Sequence, residues 1–236
     1  NHTQSVASTI EALQAFIFPI ILVDDGSNED TQTLLQQLAT QYQNVTLFRR
    51  PINGGKGAAV KTGLTLASEM GVSHALQIDA DGQHNLDDID VLLNESKRHP
   101  KAMISGRPVY DESISKGRYY GRFITHFWVY IETLSFSIKD SMCGFRVYPL
   151  EACKQLMAKQ PLGDRMDFDI EIMVRLYWQN TAIRFIPTKV LYPEDGVSHF
   201  NVWNDNWLIS KMHTRLFFGM IIRIPWLMYS KFRSQK

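Results

Sequence analysis

Over the first hundred positions, apolar residues switch between two spacings. Residues 20–23 (IILV), 45–48 (VTLF) and 75–78 (ALQI) are short, β-leaning runs, each followed by polar or glycine-bearing turns, which predicts strands. Between them, residues 31–43 and 58–70 place apolar side chains three and four apart, the pattern of helices with one buried face. Strands alternating with helices predict an α/β fold, a parallel sheet covered by helices on both faces. Ligands of such sheets gather outside the carboxyl ends of the strands.

Beyond residue 100 the pattern changes. "AMISGRPVY" reads as another strand and turn, residues 116–138 form a long aromatic and apolar stretch, and "IRFIPTKVLY" is a further strand. From Arg215 onward the chain carries Arg and Lys but no acid. Its apolar run, residues 216–229, is interrupted by Arg223 and Pro225 and falls short of the roughly 20 residues that a spanning helix needs. Phe, Trp and Ile mixed with cations suit the plane of a membrane interface instead. The expected organisation is one domain over residues 1–205 and a basic, aromatic membrane-interface segment over 206–236.

Composition narrows this little. With 236 residues the chain supports one substantial core, and 25 Lys and Arg against 24 Asp and Glu leave a formal charge of +1, so nothing calls for nucleic acid. Cys143 and Cys153 are the only cysteines and lack metal-like spacing, which fits unpaired thiols in a reducing compartment. No signal peptide is expected from the opening residues, and no internal repeat is visible.

The candidate chemistry lies at the strand ends. "VDDGSNEDT" sets Asp24 and Asp25 where the first strand finishes, beside a turn and an N-cap for the next helix; carboxylates there can accept hydrogen bonds from a base N–H and from ribose hydroxyls. "RPINGGKGAAVKTG" brings Asn53, Gly54, Gly55, Lys56 and Gly57 to a helix N-terminus, which suits a diphosphate, although the order of a Walker loop is absent. "DADGQ" ends the third strand with Asp79 and Asp81 on one side and Gln83 after the turn, a set of hard oxygen donors suited to Mg²⁺ or Mn²⁺. Each stretch taken singly is also an ordinary turn or helix entry.

"MDFDIEIM" is where a general base is sought: Asp169 first, Asp167 second. Asp167 and Glu171 share a face on a helix, whereas all three acids align on an extended segment. Arg146 or Lys56 can stabilise charge on a departing phosphate.

In their order, "VDDGS", "NGGKGAAVKTG", "DADGQ" and "DSMCGFR" resemble the family 2 glycosyltransferases, in particular the branch similar to dolichyl- and polyprenyl-phosphate sugar synthases. The resemblance covers residues 24–146. It implies a GT-A fold with a mostly parallel central sheet and C-terminal amphipathic helices, a UDP- or GDP-sugar donor, a divalent cation, and inversion at the anomeric carbon. It also implies that Asp25 reads the base, that Asp79 serves the ribose and metal side of a D-x-D motif, and that Asp81 and Gln83 are metal ligands. A lipid-linked acceptor and a peripheral place on the cytoplasmic face of a membrane go with it.

Two departures accompany the resemblance. The family's first strand, an apolar run ending in Pro-x-Tyr-Asn, is expected before Asn1, and "YPEDGVSHF" puts His199 where the similar synthases carry a lysine. The competing readings are a nucleotidyltransferase and a catalytically silent nucleotide-sugar or lipid-binding module. "CGFR" and "DFDIE" favour sugar transfer.

Overall fold

The computed structural model describes residues 2–109, 116–190 and 201–234. Helix α1 (His2–Leu13) precedes strand β1 (Ile20–Asp24), and α2 (Glu29–Gln41), β2 (Val45–Arg49), α3 (Lys56–Glu69) and β3 (His74–Gln77) follow in the expected alternation. Asn28 caps α2 by accepting a hydrogen bond from Thr31 N, as the Ser-Asn-Glu-Asp turn predicts. A short 3₁₀ turn at Leu86–Asp88 leads into α4 (Ile89–Arg98) and β4 (Met103–Val109). Then come α5 (Lys116–Thr133), β5 (Arg146–Pro149), α6 (Leu150–Lys159), α7 (Phe168–Trp178), β6 (Ile183–Lys189) and α8 (Val202–Ser234).

The strands form two pieces. β1 and β2 pair in parallel, with Ile20 opposite Val45; the other four strands lie in the order β3-β5-β4-β6. Only β5 opposes its neighbours, while β4 and β6 are again parallel, so the expected mostly parallel sheet is present. Within their pieces β1 bonds to β2 alone and β3 to β5 alone, and α3, which packs against both β1 and β3, joins the two. All of β3 and most of β1 are accordingly half-buried, despite their apolar sequences.

The largest core lies between the four-stranded piece and α3, α5, α6, α7 and α8. α7 is its centre: every residue of Phe168–Trp178 except Tyr177 is buried, because α3, α5, α6 and α8 all pack on it. Its acids and its arginine are consequently held in ion pairs, since a buried charge without a partner would be costly.

α8 is one helix of 33 residues with Pro225 inside it, and the expected boundary between residues 205 and 206 falls in its first turn. Met212, Leu216, Met220 and Leu227 face the core, and Arg223 lies over the Trp178 ring at 4.8 Å. Arg215 Nη2 donates to Glu171 Oε2 at 2.7 Å, and His213 Nδ1 lies 2.7 Å from Glu132 Oε1 on α5. The segment that the sequence sets apart is thus packed and ion-paired onto the domain. Among the described residues, no helix is long and apolar enough to cross a membrane. Both cysteines are buried and unbonded, and burial pushes each thiol up to about 12.

Candidate active site

The acidic pair ending β1 is used first by the fold. Asp24 is buried: Oδ1 accepts from Ser27 N (2.9 Å) and Oδ2 from Arg49 Nε (3.0 Å). Burial alone would raise its carboxyl, but these bonds hold it below the usual value. Asp24 therefore closes a turn, and its expected donor contact is not available in this arrangement. Asp25 Oδ2 accepts from Gly55 N at 2.6 Å, and Oδ1 accepts from Gly54 N at 3.0 Å and Arg50 Nε at 2.7 Å.

This changes the reading of the glycine loop. In the loop expected to suit a diphosphate, the N–H groups of Gly54 and Gly55 are donated to the Asp25 carboxylate. Gly55 adopts φ +95°, which a side chain would strain. Gly57 is required by packing: a Cβ there would lie 2.5 Å from Phe168 Cβ and 2.8 Å from Gly163 O. Asn53 is exposed at the loop tip. What the loop delivers to the crevice is Lys56.

Lys56 Nζ lies 2.7 Å from Asp79 Oδ2 and 2.8 Å from Asp169 Oδ2. Burial would depress the ammonium, but the two carboxylates hold it well above the usual lysine value. Asp79 moves the opposite way: burial would raise it, and Lys56 with nearby His84 keeps it far below the carboxylate range. The Lys56 and Asp79 side chains keep 24% and 22% of their surface exposed, so both can be reached from solvent; Asp169, at 6%, sits behind them.

The remaining D-x-D donors surround the turn after β3. Asp81 Oδ1 accepts from Gln83 N at 3.0 Å, and Gly82 takes φ +73° to let the chain reverse. Asp79, Asp81 and the Gln83 amide offer the hard oxygens a divalent cation prefers. No group of three His, Cys, Asp or Glu residues gathers in metal-binding geometry among the described residues, so a cation here would have to draw on the Gln83 amide and on non-protein oxygens. The donor set fits Mg²⁺ or Mn²⁺, with the Asp79 oxygen that now contacts Lys56 exchanged.

Of the two candidate bases, the fold brings Asp169 to Asp79 and not Asp167. Asp167 precedes α7, accepts from Arg165 N at 3.2 Å and lies against Gly163, so it shapes the preceding turn. Burial raises its carboxyl. Glu171 is wholly buried between Arg175 and Arg215. Arg146, read from sequence as a stabiliser of the departing phosphate, has no exposed surface: Nη1 donates to Asp169 O at 2.7 Å and Nη2 to Ser141 O at 2.8 Å. In this arrangement it supports Asp169 from behind. His199 lies outside the described residues.

Sequence reasoning missed three neighbours. Gln77 Nε2 donates to Asp79 Oδ1 at 3.0 Å, and Tyr148 OH donates to Gln77 Oε1 at 2.9 Å. Strand alternation carried the signal, since Gln77 is two residues before Asp79 and Tyr148 two after Arg146. The third is His84, stacked on Phe145 at 5.0 Å with Nε2 3.7 Å from Asp79 Oδ2, beside a cavity of about 130 Å³ that Ser8 and Thr9 help to line.

The strand order, the acids at the strand ends and the D-x-D turn define a GT-A nucleotide-sugar transferase fold. The chain belongs to glycosyl transferase family 2, whose family pattern it matches over residues 1–157. It is 34% identical over 168 residues to a dolichyl-phosphate beta-glucosyltransferase of Trichomonas vaginalis, covering 67% of this chain and 50% of that one. With the human dolichyl-phosphate beta-glucosyltransferase it shares 29% over 171 residues, covering 67% and 51%. The chain thus spans about half the length of these curated relatives. Glucosyl-3-phosphoglycerate synthase from Mycobacterium tuberculosis, solved with Mn²⁺ and UDP-glucose, superposes with TM-score 0.66 at 14% identity over 93% of this chain and 75% of that one. A mannosyltransferase from Pyrobaculum calidifontis, solved with GDP-Man and Mn²⁺, gives TM-score 0.57 at 13% identity over 94% and 61%.

Proposed function

We propose that this protein transfers a sugar from a UDP- or GDP-sugar to a lipid-linked acceptor at a membrane surface, with inversion and with a divalent cation. One observation carries the reading: the D-x-D carboxylate Asp79 and the α7 carboxylate Asp169 meet on a single lysine where the strands end. Asp79, Asp81 and Gln83 would hold Mn²⁺ or Mg²⁺, which when bound supplies positive charge to the diphosphate leaving group. Lys56, which contacts Asp79 here, would add a second positive charge on the same side. Asp169 would serve the acceptor: for a hydroxyl it would take the proton; for a lipid phosphate, already ionised, positioning suffices. The dolichyl-phosphate acceptor named for the relatives favours the second case.

The acceptor's location is supported by two helices. Tyr120, Phe123 and Phe127 on α5 and Trp207, Phe218 and Ile222 on α8 are all more than half exposed. Edge-on ring contacts run in series, Phe127 to Trp128, Trp128 to Phe217 across the two helices, and Phe217 to Phe218, which supports one apolar face of the kind that seats a protein in an interface. Soluble nucleotide-sugar and membrane-borne acceptor would then meet at the crevice from opposite sides, on the cytoplasmic face.

The test is release of UDP or GDP from a panel of sugar nucleotides, with and without Mn²⁺. A metal-dependent release that Asp81→Ala abolishes while the melting temperature holds is expected. Metal-independent release, or none from any donor, overturns the reading.

A further inference from the structure

Beneath the crevice the polar contacts close into a ring. From Asp79 the path runs through Gln77, Tyr148 and Arg146 to Asp169, and back through Lys56 to Asp79. The strand register builds it: in the antiparallel β3/β5 pair Gln77 lies opposite Arg146, and Tyr148 lies opposite Ala75, so all share one face of the sheet. Ala75 is small and leaves the Tyr148 ring space to reach across to Gln77.

The order of donors along this path has one solution. A guanidinium can only donate, and Arg146 Nη1 lies 3.4 Å from Tyr148 OH, so the hydroxyl accepts there and must give its single proton to Gln77 Oε1, 2.9 Å away. That fixes the Gln77 amide with its nitrogen toward Asp79 Oδ1 at 3.0 Å. Arg146 is held from turning away, because Nη1 also donates to the carbonyl of Asp169 and Nη2 to that of Ser141. Burial raises the Tyr148 phenol, which keeps it a neutral donor.

We propose that Tyr148 and Gln77 are positioning residues: through their hydrogen bonds they hold one oxygen of Asp79 in place, so that its other oxygen is presented to the cation or to Lys56. The inference rests on the glycosyltransferase reading of Asp79. It assigns a role to two residues that the sequence reading left without one, and it ties the orientation of Asp79 to the arginine that also holds Asp169. Groups standing behind a metal ligand contribute by fixing its direction, and their loss commonly lowers metal affinity by roughly 10- to 100-fold.

The experiment is a double-mutant cycle on Tyr148→Phe and Gln77→Met, with Mn²⁺ titrated in the presence of UDP, and separately of GDP, alongside thermal melting and nucleotide-release kinetics. Each single change is expected to weaken Mn²⁺ binding by roughly tenfold and lower kcat with little change in donor KM. The double variant is expected to lose no more than either single, because both break the same path. Unchanged Mn²⁺ affinity in the singles, or fully additive losses, overturns the proposal. Should Tyr148→Phe fail to fold, Gln77→Met at the half-buried strand end decides alone: unchanged affinity refutes the role. If the unaltered chain binds no Mn²⁺ with either nucleotide, the reading of Asp79 as a metal ligand has failed, and this role falls with it.

Discussion

Asp79 and Asp169, one on the turn after β3 and the other on α7, share a single ammonium: Lys56 Nζ is 2.7 Å from the first and 2.8 Å from the second. The lysine bridges two carboxylates that would otherwise repel each other in a partly dehydrated site. It also competes with any cation that approaches Asp79.

Lys56→Met is therefore expected to have opposite effects on binding and turnover. Affinity for Mn²⁺ alone should rise, since the competing ammonium is gone. Nucleotide release should fall by roughly 100-fold, the usual loss for one electrostatic stabiliser of a leaving group. Metal titration and steady-state release, run on the same preparation, separate the two; a parallel fall in both would mean that the lysine merely holds the site together.

Gly144 explains the glycine of "CGFR" by contact. A Cβ on it would stand 2.2 Å from Asp79 Oδ2, at the free end of a side chain that can swing away. Gly144→Ala should therefore fold, with a loss of about 1 to 3 kcal/mol for the broken bonds of Asp79, and should bind Mn²⁺ and nucleotide poorly. Wild-type affinity in calorimetry would show that Asp79 is not held where binding needs it.

Asp140 sets an acid limit on stability. It is buried, accepts from Met142 N and Cys143 N at 2.8 Å each and from Arg122 Nη2 at 2.5 Å, and has His126 Nε2 3.5 Å away. Burial would raise its carboxyl, but His126 and Arg122 hold it well below the usual range. Because the folded value is depressed, the stabilisation is complete above the unfolded value of about 3.9 and is lost as pH falls through and below it. Melting temperature should drop steeply below about pH 4, and Asp140→Asn should start lower at neutral pH and slope less. An equal acid slope in both proteins would assign the loss to other groups.

The apolar face on α5 and α8 is expected to carry membrane binding. Replacing Phe123, Trp207, Phe218 and Ile222 by serine touches exposed side chains only, so the melting temperature should hold. Pelleting with anionic vesicles should fall by at least roughly tenfold, since each large apolar side chain withdrawn from water contributes about 1.5 to 3 kcal/mol. Equal pelleting would leave the face without this role.

Every strand but β5, the helices between the first three and the acids at the strand ends are legible because each depends on local spacing: the helices expected over 31–43 and 58–70 form at Glu29–Gln41 and Lys56–Glu69, and the D-x-D turn follows from turn chemistry. Long-range partners are not. Nothing in "VDDGS" says that Asp25 takes the N–H groups of Gly54 and Gly55, and nothing in "CGFR" says that the arginine is buried against Asp169. Both depend on which strand lies beside which. The sequence ranks Asp169 before Asp167, but the lysine that α3 brings to Asp169 is visible only in three dimensions.

Helix α8 also sets an angle. Its inner residues, Leu216 and Met220, belong to the same core as α7, and Arg215 is fastened to Glu171 half a turn beyond Asp169. No linker intervenes between the outward aromatic face of α8 and the helix that carries Asp169. A protein seated on a bilayer by that face would hold its crevice at one fixed tilt and height above the lipid, as rigid as its own interior. How far an acceptor headgroup must rise to meet the sugar is then a dimension of the domain itself.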